Sequence, residues 1–193
     1  MQEGWDHDPP AKHKLVPLGI LIRATGVLSL FFGSGGSSDF WVDALMSWWR
    51  RVRPSMRGLR QLVIYLDNGP DNSGRRTQFL KRMVQFADWS GLVIRLVYYP
   101  PYHSKYNPVE RCWSSLQKKW NGVLLNCWEV ICSCALRMTW KKMHPTVELL
   151  PGDYATKVRV PRNEMKQYEC RLERSATLPK YDIIIRPKKP RGG

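Results

Sequence analysis

The chain has 193 residues, 43% of them hydrophobic, which is enough for one medium domain with a core and excludes a chain disordered by composition. Lys and Arg outnumber Asp and Glu by 31 to 16, a formal charge of +15 that favours nucleic acid or another polyanion as partner. The start is polar and acidic, unlike a signal peptide, and the longest apolar runs stop well short of a membrane span, so a soluble, cytoplasmic protein without membrane association is expected.

Residues 1–14 are polar, carry Pro9 and Pro10, and read as a linker remnant. Leu15–Ile22 and Val27–Phe32 are apolar and β-rich around the turn signal Ala24-Thr25-Gly26, which predicts a hairpin. After a glycine-rich break, Ser37 or Ser38 can cap a helix carrying Phe40, Trp41, Ala44, Leu45, Trp48 and Trp49 at helical spacing. Those aromatics read as core rather than as a base-stacking surface. Pro54 ends that helix inside a basic connector of Arg50, Arg51, Arg53, Arg57 and Arg60. Leu62–Asp67 predicts a buried strand, Asn68–Gly74 a loop of turn formers, and Arg75–Trp89 a helix burying Phe79, Leu80, Met83, Val84 and Ala87. Gly91 stops it; Leu92–Tyr98 is a further strand and Asn107–Trp120 a helix with Val109, Cys112, Trp113, Leu116 and Trp120 on its apolar stripe.

Beyond Gly122, Trp128–Met143 and Asn163–Arg174 read as helices, Tyr181–Ile185 as a short strand, and the end as a basic, Pro-rich tail. The expected organisation is an α/β core over 15–122 and a mainly helical C-terminal extension over 123–193. Cys112, Cys127, Cys132, Cys134 and Cys170 match no zinc spacing and read as reduced thiols.

Two acids stand out. Asp67 ends the Leu62 strand, where α/β sheets hold ligands, although Asp67-Asn68-Gly69-Pro70 is also good turn chemistry by itself. Glu110 lies in the first turn of the Asn107 helix, where Asn at N-cap, Pro at N1 and Glu at N3 form a favoured helix start. A helix-capping role and a metal role for Glu110 do not compete, because the first turn is rigid and close to the sheet edge. Metal-dependent phosphodiester chemistry needs such hard carboxylate oxygens on a rigid scaffold. Asp71, in the same loop as Asp67, reads as solvated.

His103 and Lys105, just before the Glu110 helix, suit phosphate contact, with a solvated loop as the alternative. Asn107, Arg75 and Arg76 near the two acids, and Arg51 and Arg53 of the basic connector, complete the expected DNA-contact set.

LDNGPDNSGRRTQFLKRMVQFAD and YYPPYHSKYNPVERCW resemble matching blocks of the DDE-type insertion-sequence transposases of the Rhodopirellula type (ISAzo group). DHDPPAKHKLVPLGIL before them, and MTWKKMHPTVEL and RLERSATLPKYDIIIRP after them, extend the resemblance over nearly the whole chain. It implies an RNase H-like (retroviral-integrase-like) mixed sheet with flanking helices. It also implies a site for two Mg²⁺ (or Mn²⁺) ions, with Asp67 as the second acid of an Asp-Asp-Glu triad and Glu110 as the third. The implied partners are transposon-end and target DNA in a bacterial nucleoid, with self-association or association with a full-length transposase.

In that family the first Asp sits on a central strand upstream of DHDPP. Asp6 and Asp8 fall in the Pro-rich linker, and Asp39 and Asp43 on a helix. The expectation is therefore an N-terminally truncated DDE transposase, incompetent alone and marginally stable. Two alternatives stand beside it: a non-catalytic DNA-binding or assembly module, and a metal nuclease with Asp6 or Asp8 as substitute acid. The absent strand belongs between the Leu15 and Leu62 strands, which must pair directly, borrow a strand, or leave a gap.

Overall fold

The computed structural model describes residues 15–100 and 107–188. Strands β1 (Val16–Leu21) and β2 (Leu28–Gly33) form the expected hairpin, in register from Val16 opposite Gly33 to Leu21 opposite Leu28. The turn closes with Ile22 N–H on Val27 O at 2.9 Å and relies on a left-handed Gly26, φ 80°. β2 is buried along its whole length because both of its faces are covered. Phe31 joins a core with helix α1 (Ser38–Val52), while Leu28, Leu30 and Phe32 join another with α3 (Pro108–Trp120) and α4 (Trp128–Arg137).

Ser37 supplies the α1 cap, its hydroxyl accepting from Phe40 N–H at 3.3 Å. Phe40, Ala44, Leu45, Trp48 and Trp49 are buried, as their spacing predicts, against α2 (Thr77–Ser90). Gly91 ends α2 in the left-handed conformation, φ 72°. α2 links β3 (Gln61–Leu66) to its parallel neighbour β4 (Val93–Tyr98).

The chain is a mixed α/β structure with two mixed sheets and, among the described residues, five α-helices. One sheet has the order β1-β2-β5 and the other β3-β4-β7-β6. Residues beyond 122 are less helical than their sequence suggests. α4 stops at Arg137 rather than Met143, and α5 covers only Arg162–Glu169. The chain then supplies β5 (Thr146–Leu149), parallel to β2, and β6 (Leu172–Arg174) and β7 (Asp182–Ile185), which extend the second sheet from β4. The expected Tyr181–Ile185 strand is β7, whereas β5 and β6, of four and three residues, are too short to display alternation, so tertiary pairing decides them. Ile183 and Ile185 are fully buried, and Asp182 fixes the β4 register by accepting two bonds from Arg95, at 2.9 and 2.7 Å. No helix among the described residues is long and apolar enough to cross a membrane.

β1 and β3 are both sheet edges and do not pair with each other. A cleft of about 330 Å³ separates them, lined along its length by residues such as Gly19, Leu21, Trp41, Met56, Val63 and Tyr65. Of the three outcomes open to these strands, the structure takes the gap. The direction of the unpaired groups follows from the ladders. Val93 N–H bonds Arg60 O and Tyr99 N–H bonds Leu66 O, at 3.0 and 2.9 Å, so the even residues of β3 face β4. Successive residues alternate, so the peptide groups of Gln61, Val63 and Tyr65 face the cleft. By the same reasoning the bonded pair Ile22–Val27 turns Pro17, Gly19 and Leu21 of β1 toward it. Pro17 occupies a position whose N–H would have no partner in β2, which is where a strand tolerates proline.

This pattern predicts a measurable alternation. In native-state hydrogen exchange, the amides of Val63 and Tyr65 exchange faster than those of Leu62 and Ile64 by more than about tenfold, or about 1.4 kcal/mol of opening free energy. Equal protection along β3 would show that the edge is covered.

Candidate active site

β3 carries Asp67 to the exposed end of its sheet, and Asn68 turns the chain sharply in the left-handed conformation, φ 64°. Asparagine tolerates that region better than most residues. The Asp67 carboxylate is held by the loop it opens: Oδ1 accepts from Gly69 N–H at 3.3 Å and from Asn72 Nδ2 at 2.8 Å. Asn72 is buried, 2% exposed, and its Oδ1 has no hydrogen-bond partner. The point where a Cβ on Gly69 would stand lies 3.4 Å from that orphaned oxygen and 3.5 Å from each Asp67 oxygen. Asn72 is thus a site residue that the sequence does not single out. It is one polar loop residue among several, and only the fold shows that it orients Asp67.

Glu110 comes from α3. Asn107 takes an extended conformation, φ −74° and ψ 113°, as a residue before proline prefers. Pro108 occupies N1, but the side chain of Asn107 makes no capping bond; Glu110 N–H instead bonds Asn107 O at 3.1 Å. The capping-box explanation of Glu110 is therefore not realised. α3 is seated close to β1 because residue 19 is glycine: a Cβ there would lie 2.9 Å from Val109 and 3.2 Å from Trp113. That packing leaves Glu110 half-buried. Burial raises the Glu110 pKa above the usual carboxylate range, and the negative charge of Asp67 raises it further. The second cause needs the strand end that carries Asp67 and the helix start that carries Glu110 to lie near enough for their charges to interact.

Three hard oxygen groups around the loop, from Asp67, Asn72 and Glu110, fit a divalent cation better than a soft one. Among the described residues, however, no group of three His, Cys, Asp or Glu side chains comes together. Asp71 pairs with Arg76 at 3.7 Å. Asp39 accepts from Gln78 at 2.9 Å, and Arg82 joins both Asp39 and Asp43 across the α1–α2 contact. None of these acids is a third ligand.

The expected DNA-contact residues do not form one surface. His103 and Lys105 lie outside the described residues. Asn107 is 8% exposed and lines the cleft. Arg75 is exposed beside the Asp67 loop, and Arg76 next to it is drawn toward Asp71. Arg51 and Arg53 are elsewhere. Ser38, at the start of α1, donates to Asp71 O at 2.7 Å, whereas Arg51 lies in the last turn of this 15-residue helix and Arg53 just after it. At 1.5 Å per residue those ends are about 22 Å apart. Arg51 also pairs with Glu148 at 3.1 Å.

The raised Glu110 pKa has a sign that can be tested. A carboxyl whose pKa is raised on folding stabilises the fold fully at low pH, and that stability is lost as pH rises through the folded pKa. Wild type and Glu110→Gln should therefore be equally stable below the ordinary carboxylate range. Glu110→Gln should be the more stable of the two near neutral pH without metal. Adding Mg²⁺ should lower the Glu110 pKa, read from its side-chain carboxyl NMR resonance. A pKa unmoved by Mg²⁺ would separate Glu110 from any metal site.

No curated protein and no solved structure matches the chain. One protein family does, described as the Rhodopirellula transposase DDE domain, and the match runs over residues 2–187. It includes both Asp67 and Glu110, the strand and helix that carry them, and the C-terminal strands that complete the second sheet. By the extent of that match, the chain belongs to the Rhodopirellula transposase DDE domain family.

Proposed function

We propose that this chain is the core of a DDE transposase on an RNase H-like sheet, with Asp67 and Glu110 as two of its three metal-holding carboxylates. Membership of a transposase family makes DNA the partner. The observation that supports the site assignment is the placement of Asp67 at the end of β3 and of Glu110 in the first turn of α3, near enough for the Asp67 charge to act on Glu110. Asp67 and Glu110 would hold Mg²⁺ or Mn²⁺, and the bound metal would supply activation of water or a DNA 3′-OH and stabilisation of the leaving oxygen in an in-line displacement. Asn72 keeps the Asp67 carboxylate oriented for that task, and α3 keeps Glu110 facing it.

The third carboxylate belongs to a strand between β1 and β3. What supports this is the cleft itself: two facing rows of unpaired peptide groups, which one added extended backbone would satisfy together. An Asp on that strand would complete the set. Two carboxylates alone are a weak cage, because Mg²⁺ dehydrates reluctantly. Residues 15–188 by themselves are accordingly a poor catalyst. This favours the second reading, a DNA-binding or assembly module that self-associates or joins a full-length transposase. Asp6 and Asp8, the substitute acids of a third reading, lie outside the described residues.

A plasmid-nicking assay with Mg²⁺ or Mn²⁺ distinguishes these readings. The chain alone should give little or no nicking. Fusing an Asp-bearing strand ahead of it should restore nicking and solubility together. In the fusion, Asp67→Asn or Glu110→Gln should then remove at least about 100-fold of the activity, since outer-shell changes already cost 10–100-fold. Nicking by the unfused chain that depends on Asp67 would contradict the need for a third strand. A fused protein that binds DNA without cutting it would favour the module.

A further inference from the structure

We propose that the recess beside the Asp67 loop is a binding site for a DNA backbone phosphate, built jointly by Arg75 and Lys180. The proposal rests on the reading of this chain as a DNA-acting core and adds a residue from the far end of the sequence. The recess, about 320 Å³, is lined by Asn68, Gly69, Ser73, Arg75, Lys180 and Tyr181 among others. Its wall begins one residue after Asp67, so a phosphate held there neighbours the one at the acids.

Two side chains give the recess its charge. Arg75 and Lys180 are exposed, and neither makes an ion pair among the described residues. The cations beside them are engaged: Arg76 with Asp71 and Arg174 with Glu169. The nearby acid Asp182 is engaged as well, with Arg95. A guanidinium and an ammonium without carboxylate partners, with the Ser73 hydroxyl beside them, match a phosphodiester oxygen pair.

The arrangement is fixed before any ligand arrives. Arg174 donates to Gly74 O at 3.0 Å and to Pro179 O at 3.1 Å, tying the two loops that carry Arg75 and Lys180. Tyr98 N–H bonds Tyr181 O at 2.8 Å, and Ser175 N–H bonds Asp182 O at 3.0 Å. The loops touch because residue 74 is glycine; a Cβ there would stand 2.5 Å from Lys180 O. The loop backbones therefore need no rearrangement on binding, and only the two exposed side chains lose conformational freedom.

Duplex-DNA affinity across a salt series tests this, with wild type, Lys180→Ala, Arg75→Ala and Lys180→Arg. Lys118→Ala serves as a control for an exposed lysine on α3. Lys180→Ala and Arg75→Ala should each weaken binding roughly three- to tenfold near 0.1 M salt, and together lower the salt slope by about 0.9, the effect of one phosphate. Lys180→Arg should retain affinity, and Lys118→Ala should change it less. Gly74→Ala, checked for folding by its melting curve, should weaken binding like Lys180→Ala with no change in charge. Wild type that binds DNA while Lys180→Ala behaves as Lys118→Ala would overturn this site alone. Inorganic phosphate that shifts the Gly69 and Lys180 amides while DNA affinity stays unaltered in the variants would overturn DNA as its ligand. No DNA binding by wild type would overturn the functional reading as well.

Discussion

A strand in the middle of a sheet must bond along both edges, and β3 bonds along only one. Its even-numbered residues meet β4, while Gln61, Val63 and Tyr65 present their peptide groups to an open cleft. This half-satisfied strand determines much of the rest. It divides the ladder into two sheets, leaves β1 with an equivalent open edge, and places Asp67 at the mouth of the gap. The unpaired edges are costly only if buried, and the cleft leaves them accessible to water or to another backbone.

The molecule stays together because its core is continuous where its hydrogen-bond ladder is not. One apolar cluster includes Leu18 and Phe31 from the first sheet and Leu66, Ile94 and Leu96 from the second, bridged by the aromatic face of α1 and by α2. Hydrophobic burial is non-directional, so it can span a gap that strand pairing cannot. Directional contacts then fix the C-terminal segment. Arg95 holds Asp182, and Arg171 holds Asp88 at 2.7 Å. The same segment that closes the second sheet also brings Lys180 to the Asp67 loop, so fold completion and the basic recess share one cause.

The legible parts of the sequence were those with strong local signals. Apolar runs, the Gly26 turn, the Ser37 cap and the helical spacing of Phe40 to Trp49 each specify their element without help from the rest of the chain. Asp67 and Glu110 were legible for the same reason, as a strand end and a helix start. What escaped depends on tertiary pairing. β5 and β6 are too short to carry a pattern, whereas the apolar Tyr181–Ile185 run reads as a strand and forms β7; Asn72 matters only through the bond it makes to Asp67. The DNA-contact set rests on charge and on nearness to the acids along the chain. Charge does not reveal that α1 separates Arg51 and Arg53 from the acids, or that Asn107 turns inward.

The central claim is that Asp67 and Glu110 hold metal at one place. Fe²⁺ substituted for Mg²⁺, with peroxide and ascorbate, cuts a backbone where the ion is bound. A metal shared by Asp67 and Glu110 gives cuts clustered at residues 66–69 and at residues 107–111, suppressed together by excess Mg²⁺ and lost together in Asp67→Asn or Glu110→Gln. Cutting at only one of the two segments, or cutting that survives loss of either acid, would contradict a shared site.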